Sequence, residues 1–414
     1  MTGIKEKVVV TGLGVVSPLG CTVAEFWDNL LAGHSGVHSL EGTLFSELPL
    51  KIGATIARLN EHQRFGSKEA RRMSRSSQMG LVAAKEAISA AKLKDDHVDS
   101  TGVGIFVGSS IGGYSASDSY FKSFHQTGRL SPFTIPVSMN IGPAANISIQ
   151  YCFQGPLLNV DAACSTAAHS VGYAFNMIRS GQLQVAVTGA ADSPFSPAVV
   201  EAWMTMHAVS SRTEDPARAC RPFSADRDGM VLGEGAGILI LEAESHARKR
   251  GAVILGEILG YGASADSSHL TQPNQAGPAL AMKRALSDAG LEPGQIDYIN
   301  AHATGTEWND RIETQAIKEV FGKRAYEIPV VGNKAALGHS IAGSGALELI
   351  GCLLSLRDQV VPPTINYAIP DLQCDLDYVT EGSRKVKLQN VMSNSFAFGG
   401  SNAVLIAGKY EPAR

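Results

Sequence analysis

Cys164 lies in the run V-D-A-A-C-S-T-A-A, residues 160–168, between a short apolar stretch (Leu157 to Val160) and a long segment of small residues. The spacing predicts a strand, a sharp corner and then a helix, with the thiol at the helix start. Unpaired N–H groups and the helix dipole favour a thiolate there, so the expected pKa lies below the free value of about 8.5. Ala162, Ala163, Ser165, Ala167 and Ala168 leave room for a substrate to approach. A strand-to-helix corner of this kind is also how a nucleophile elbow displays its side chain. The competing reading is packing, because lone cysteines in apolar surroundings are usually inert. Cys152, Cys220, Cys352 and Cys374 lack the corner and read as structural.

A thiol nucleophile needs partners, and two histidines stand at comparable places. In D-Y-I-N-A-H-A-T-G-T (297–306) His302 ends a predicted strand, where α/β folds display site residues. In V-V-G-N-K-A-A-L-G-H-S-I-A-G-S-G (330–345) His339 precedes a second small-residue helix, with Lys334 five residues earlier. A single histidine is more often a hydrogen-bonded structural residue; two such placements opposite the cysteine point to chemistry. Neither belongs to an HExxH pattern or a carboxylate cluster, which argues against zinc. His169 falls about 140° around the helix from Cys164 and is expected to face elsewhere. The Phe-Gly-Gly turn in N-S-F-A-F-G-G-S-N-A-V (394–404) fits either a plain hairpin or a presenter of backbone N–H groups to an oxyanion.

These residues require strands that end together and helices that begin together, and the chain carries such a plan twice. V-V-V-T-G-L-G-V-V-S-P-L-G near the start and I-L-G-E-I-L-G-Y-G-A-S-A-D (254–266) each read as a strand followed by a glycine-rich bend. Ala279 to Ala289 then reads as a helix with Leu280, Met282, Ala285, Leu286 and Ala289 on one stripe, stopped by Gly290 and Pro293. The segments starting at Cys164 and His339 repeat a second pattern: a helix apolar or small nearly all round, a polar break, then a β-branched strand. Such helices belong between layers, and the alternation implies α/β layering. The expectation is two similar halves, 1–250 and 251–414, joined near residues 245–255, with their central helices in contact.

Composition narrows the class further. The 414 residues suffice for two core-sized units, and 44% hydrophobic with 18% charged residues suits a globular enzyme. A net charge of −4 argues against whole-surface nucleic-acid binding. Six scattered cysteines without a CxxC pair, no secretory leader and no 18-residue apolar span point to reduced thiols, no membrane span and a cytoplasmic setting. Gly12-Leu13-Gly14 and Gly233-Glu234-Gly235 are poor nucleotide fingerprints; tight turns and close backbone approach explain them better.

Four motifs then occur in order: D-A-A-C-S-T-A, N-A-H-A-T-G-T-x-x-N-D, G-N-K-A-A-L-G-H-S-I-A-G-S-G-A-L-E and N-S-F-A-F-G-G-S-N-A. With them the chain resembles, over nearly its whole length, the elongating β-ketoacyl-[acyl carrier protein] synthases of the thiolase superfamily. The resemblance implies a five-layer α-β-α-β-α fold of two duplicated halves. It places the nucleophile on Cys164, the catalytic histidines on His302 and His339, the associated lysine on Lys334 and a buried supporting glutamate on Glu348. Oxyanion amides fall on Cys164 and Phe398; Phe398 is also the gating aromatic. Thr304 and Thr306 line the pantetheine tunnel, and Ile111, Phe133 and residues 138–150 shape the acyl pocket, partly across a dimer interface. The implied reaction is decarboxylative Claisen condensation with malonyl-[acyl carrier protein], without metal or organic cofactor. Implied partners are an acidic acyl carrier protein and a second subunit, identical or chain-length-factor-like. Arg64, Lys68, Arg71, Arg72 and Arg75 form a local basic patch that is either a solvated helix face or the carrier docking surface. One departure stands out. Many fatty-acid members read H-G-T-S-T-P-x-G-D where this chain has H-A-T-G-T-E-W-N-D, closer to type II polyketide, polyene and nodulation-factor ketosynthases. Rival readings are a cysteine hydrolase or acyltransferase that does not condense, and a subunit active only beside a chain-length factor.

Overall fold

A computed structural model describes residues 6–57, 59, 65–94 and 98–411. Ten strands make up its principal sheet system: β1 (Val8–Val16), β2 (Val103–Gly108), β3 (Leu157–Leu158), β4 (Val185–Asp192), β5 (Gly235–Ala243), β6 (Gly256–Ala265), β7 (Tyr298–Asn300), β8 (Val330–Val331), β9 (Asn390–Phe396) and β10 (Ser401–Gly408). Their spatial order is β8-β7-β9-β10-β6-β1-β5-β4-β2-β3. Adding five to each strand number turns one side of this order into the other, so the sheet is a structural palindrome. Its centre is the short antiparallel pairing of Val8–Val10 in β1 with Gly256–Ile258 in β6.

Side chains alternate across these strands and sort into three cores. On β5, Leu239 and Leu241 face a central cluster, while Ile238 and Ile240 face an outer one. On β10, Leu405 and Ala407 point to the same centre, and Val404 and Ile406 to the opposite outer cluster. Helices α1 (Arg75–Ala90) and α2 (Gly142–Tyr151) cover one outside face; α3 (Ala276–Ala289) and α4 (Glu307–Phe321) cover the other. Between the two halves of the sheet lie α5 (Thr166–Arg179) and α6 (Ser344–Asp358). The result is the α-β-α-β-α stack. Every residue of α6 from Ser344 to Leu356 is buried; each Leu or Ile fully buried there contributes about 1.5–3 kcal/mol. α5 is buried on three sides but exposes Tyr173 at one edge.

Two sequence expectations change in detail. The glycine-rich bends after the first strand of each half are not bends. β1 continues through Gly12 and Gly14, with a shift of register between Val10 and Gly12, and β6 continues through Gly260 and Gly262. A Cβ at Gly14 would lie 1.9 Å from the Ala83 carbonyl of α1, and one at Gly262 2.1 Å from the Ala281 carbonyl of α3. The glycines let each outer helix seat its backbone directly on its strand. On α3, Met282, Ala285 and Leu286 are buried as the stripe requires, whereas Leu280 is 41% exposed.

The duplication extends to the corners. Ala163 and Ile341 both hold φ 47°, in the left-handed region, within a single 3₁₀ turn that leads into α5 or α6. The next residue is Cys164 in one half and Ala342 in the other. No helix among the described residues is long and apolar enough to cross a membrane.

Candidate active site

Cys164 is 8% exposed at its corner, and Ala162 N–H is capped by Thr166 Oγ1 at 2.8 Å. His302 follows β7. Its own N–H and that of Ala303 donate to the Glu313 carboxylate of α4, at 2.8 and 2.9 Å. That grip lets Ala303 hold φ 45°. His339 is carried on a backbone ladder instead: its N–H donates to Val231 O at 2.7 Å, and Gly233 N–H donates to its carbonyl at 2.9 Å. The Arg- and Asp-rich stretch before Gly237 is thus a structured loop that positions a histidine from the other half of the chain.

These elements converge. His339 Nε2 lies 3.1 Å from Cys164 Sγ, and the two imidazoles meet edge to face with centroids 5.5 Å apart. A thiol sulfur and one nitrogen from each ring all lie within 4.8 Å of one another. Lys334 Nζ donates to His302 O at 2.6 Å and to Glu348 Oε1 at 2.6 Å, and sits 3.3 Å from His302 Nδ1. An ammonium only donates, so His302 Nδ1 accepts and its Nε2 carries the hydrogen. A protonated ring nitrogen beside an ammonium is a poor metal ligand, so the donor set suits an anion better than a cation.

Electrostatics here follow burial. Burial drives both imidazoles well below the usual histidine range, reinforced by Lys334, so both are neutral near pH 7. Burial also pushes the Cys164 thiol up to about 12, outweighing the opposing pull of Lys334. The expected low thiol pKa is therefore corrected: the corner is dry, and desolvation exceeds what a helix start offers. Glu348 is pushed up to about 7 by burial, with Lys334 acting against it. A direct check is alkylation of Cys164 by a small neutral reagent, resolved by mass. The rate should climb without a plateau from about pH 7 to about pH 10, as thiolate grows tenfold per unit below its pKa. A plateau near neutrality would mean a preformed thiolate.

The three side chains open on a cavity of about 430 Å³ that Thr304, Thr306 and Phe398 also line. Thr304 and Thr306 join through their hydroxyls at 2.8 Å. The Phe398 ring stacks on Trp203 at 5.8 Å. Ile111 packs in the apolar cluster that contains Cys164 but does not line this cavity. Phe133 is not among the residues that line this cavity within one chain; its ring lies under the Arg72 guanidinium at 4.6 Å. In the basic patch, Lys68, Arg71 and Arg72 are exposed. Arg75 is not available there: it bonds both oxygens of buried Glu234, at 2.5 and 2.6 Å, and lies over Phe45. Arg64 lies outside the described residues.

Several supporting groups escaped sequence reasoning. Asp192, at the end of β4, accepts from Ser109 Oγ, from the N–H groups of Ser110 and Ile111, and from Ala342 N–H of the opposite half. Its place at a strand's C-terminal end was the available clue. Asp310 accepts from Phe223 and Gly305 N–H, and Arg227 donates to the carbonyls of Thr306 and Glu307; together they fix the turn that carries Thr304 and Thr306.

A buried thiol and two neutral imidazoles thus converge at the inner corners of a duplicated five-layer body. Comparison with known proteins gives the particular family. Residues 5–247 match the model of the β-ketoacyl synthase N-terminal domain, and residues 255–368 that of the C-terminal domain. The chain is 37% identical to 3-oxoacyl-[acyl-carrier-protein] synthase 2 of Coxiella burnetii over 98% of its length and 99% of the relative's. It is 39% identical to nodulation protein E of Rhizobium meliloti (strain 1021), over 97% and 98%. Among solved structures, the ishigamide ketosynthase/chain length factor superposes with TM-score 0.91 at 32% identity, covering 98% of this chain and all of that one. A type II polyketide ketosynthase, solved in complex with its acyl-carrier protein, gives 0.90 at 30% identity, with the same coverage. The chain belongs to the β-ketoacyl synthase family.

Proposed function

We propose that this protein lengthens carrier-bound acyl chains by decarboxylative Claisen condensation, with Cys164 as nucleophile and His302 and His339 as the enolate's hydrogen-bond donors. The observation that carries this reading is the convergence of one sulfur and two imidazoles in a single cavity. The Cys164 sulfur attacks the acyl thioester of a carrier's phosphopantetheine; the sulfur's proton leaves with the pantetheine thiol, and the acyl group stays on Cys164. Backbone N–H groups of Cys164 and Phe398 hold the tetrahedral oxyanion. Malonyl-carrier then takes the vacated tunnel past Thr304 and Thr306. As its carboxylate departs as CO₂, the enolate oxygen accepts from both Nε2–H groups. Lys334 fixes the His302 tautomer. Ser344 Oγ accepts Ser340 N–H at 3.0 Å and, 2.9 Å from His339 Nδ1, gives its own hydrogen to that ring. The enolate carbon attacks the Cys164 thioester, the carbon–sulfur bond breaks with its electron pair leaving on sulfur, the thiolate takes a proton from water, and a β-ketoacyl-carrier leaves two carbons longer. Fixed donors aimed at developing charge are the largest catalytic term available to such a site. Each step is served by residues of this chain, with no cofactor.

A cysteine hydrolase would leave His302 and Lys334 without work. Incubation with acyl- and malonyl-carrier protein, followed by intact mass, separates the two: a β-keto product two carbons longer supports condensation, and free acid supports hydrolysis. Relatives named 3-oxoacyl-[acyl-carrier-protein] synthase 2 and nodulation protein E match comparably. The G-T-x-x-N-D turn favours a specialised polyketide or polyene pathway in the cytoplasm, which product profiling with the protein's own carrier tests.

Lys68, Arg71 and Arg72 are the carrier's contacts in this reading, since an acidic carrier seeks exposed cations on a net-negative protein. Reversing charge at Arg71 and Arg72 should raise KM for carrier-bound substrate and flatten its salt dependence. KM for a small thioester should stay fixed. Unchanged KM and salt slope would remove the docking assignment. A second subunit covers the face around edge strand β3, where Ile135 (70%), Ile149 (76%) and Leu158 (46%) are exposed. Native mass, alone and with a chain-length-factor-like chain, distinguishes the identical from the unlike partner.

A further inference from the structure

The oxyanion donors of the proposed mechanism come from two separate elements, so something must set their spacing. Cys164 N–H belongs to the turn that opens α5. Phe398 N–H belongs to a turn in which Gly399 and Gly400 take φ of 79° and 71°. Three contacts tie that second turn to the loop after β6: Gly399 N–H to Leu270 O at 2.7 Å, Asp266 N–H to Gly400 O at 2.9 Å, and Asn402 Nδ2 to Asp266 Oδ1 at 2.7 Å. None of them reaches the nucleophile's corner.

The link to that corner is made at Ser401, which Ser165 meets directly and His169 braces from α5. His169 projects from the first turns of α5, away from the cavity, as its angle from Cys164 requires. Its Nε2 lies 2.9 Å from Ser401 Oγ, the residue directly after the Phe398 turn. Its Nδ1 lies 2.5 Å from the Tyr261 hydroxyl on β6. Ser165, next to the nucleophile, reaches Ser401 Oγ at 3.2 Å and Ala162 O at 2.9 Å. A continuous path of polar contacts therefore runs from Tyr261 through His169, Ser401 and Ser165 to Ala162. The path ends on the residue before Ala163, whose φ of 47° sets the corner.

We propose that His169, acting through Ser401 and Ser165, is a positioning residue that fixes the distance between the Cys164 and Phe398 amides. It touches no substrate. It joins the helix that carries one donor to the strand that carries the other, and so holds the oxyanion hole at working width. The inference rests on the function proposed above but concerns only the steps that form a tetrahedral oxyanion. Decarboxylation, which uses His302 and His339, does not depend on this path. Misplacing a donor by about 1 Å can cost about a hundredfold, so removal of the link should slow acyl transfer ten- to a hundredfold.

The test uses the full chain and two small probes, the hexanoyl and malonyl thioesters of N-acetylcysteamine. Acyl loading on Cys164 is followed by intact mass, and decarboxylation by CO₂ release. For His169→Phe and Ser401→Ala, loading should fall ten- to a hundredfold while decarboxylation stays within about twofold of the unaltered protein. His169→Gln, which retains a polar group near Ser401, should recover part of the loss. Unchanged loading in both variants overturns the inference and leaves the proposed function standing. Loading and decarboxylation falling together with Tm also overturns it, by making the path purely structural. An unaltered protein that loads but does not decarboxylate breaks the condensation reading separately.

Discussion

With Cys164 replaced by Gln, extension by two carbons should vanish while malonyl-carrier continues to lose CO₂. Without the sulfur there is no acyl-enzyme, hence no electrophile for the enolate to attack. The carboxamide is neutral, polar and longer than the thiol, so within the buried corner it occupies space much as an acylated cysteine would. His302 and His339 keep their partners on Glu313, Lys334, Val231 and Ser344, none of which touches the sulfur. Decarboxylation should therefore remain within about tenfold of the unaltered protein, because its donors are untouched. Intact mass of the carrier reads condensation, and CO₂ release reads decarboxylation. Loss of both from a folded variant would mean that the sulfur takes part in breaking the malonyl carbon–carbon bond.

His339→Ala should give the mirror result. It removes one of two neutral N–H donors from a water-poor cavity, a change that costs about 10²- to 10³-fold in rate in comparable oxyanion sites. CO₂ release should fall by that factor. Loading of Cys164 should fall much less, because the proposed mechanism gives its oxyanion to backbone amides. The neutral state of both rings adds a pH signature. Since burial and Lys334 keep each histidine well below its ordinary range, decarboxylation should not decline as pH drops from about 7.5 to about 6. Unimpaired decarboxylation by His339→Ala, or a loss centred near pH 6.5 in the unaltered protein, would take His339 out of the enolate site.

Much of this was legible in the sequence, for physical reasons. Strand-to-corner-to-helix spacing located Cys164, and strand and helix ends located His302 and His339, because α/β layering gathers such ends on one side of a sheet. The repeated rhythm disclosed the duplication. The misreadings came from what a linear pattern does not contain. G-L-G looked like a bend because nothing local says that a helix 70 residues later will press its carbonyls against that strand. Arg75 looked like part of a basic face because its partner, Glu234, is 159 positions away. The thiol looked acidic because helix starts are visible in a sequence and dryness is not. Asp192 and Glu313 were missed for the same reason: each holds atoms that only folding brings near, while His169 was placed facing away from Cys164, toward partners on Tyr261 and Ser401 that the sequence does not reveal.

The two corners with φ of 47° differ in what they present: sulfur at Cys164, a methyl group at Ala342. Were both reactive, two acyl thioesters would confront each other with no carboxylate to lose, and no enolate would form without a base to take an α-hydrogen. With one side mute, the proposed mechanism holds cargo on Cys164 alone while His302 and His339 act on the incoming extender. Growth thereby acquires a direction, from donor carrier to protein to recipient carrier, out of a body whose architecture is otherwise nearly its own mirror in sequence order.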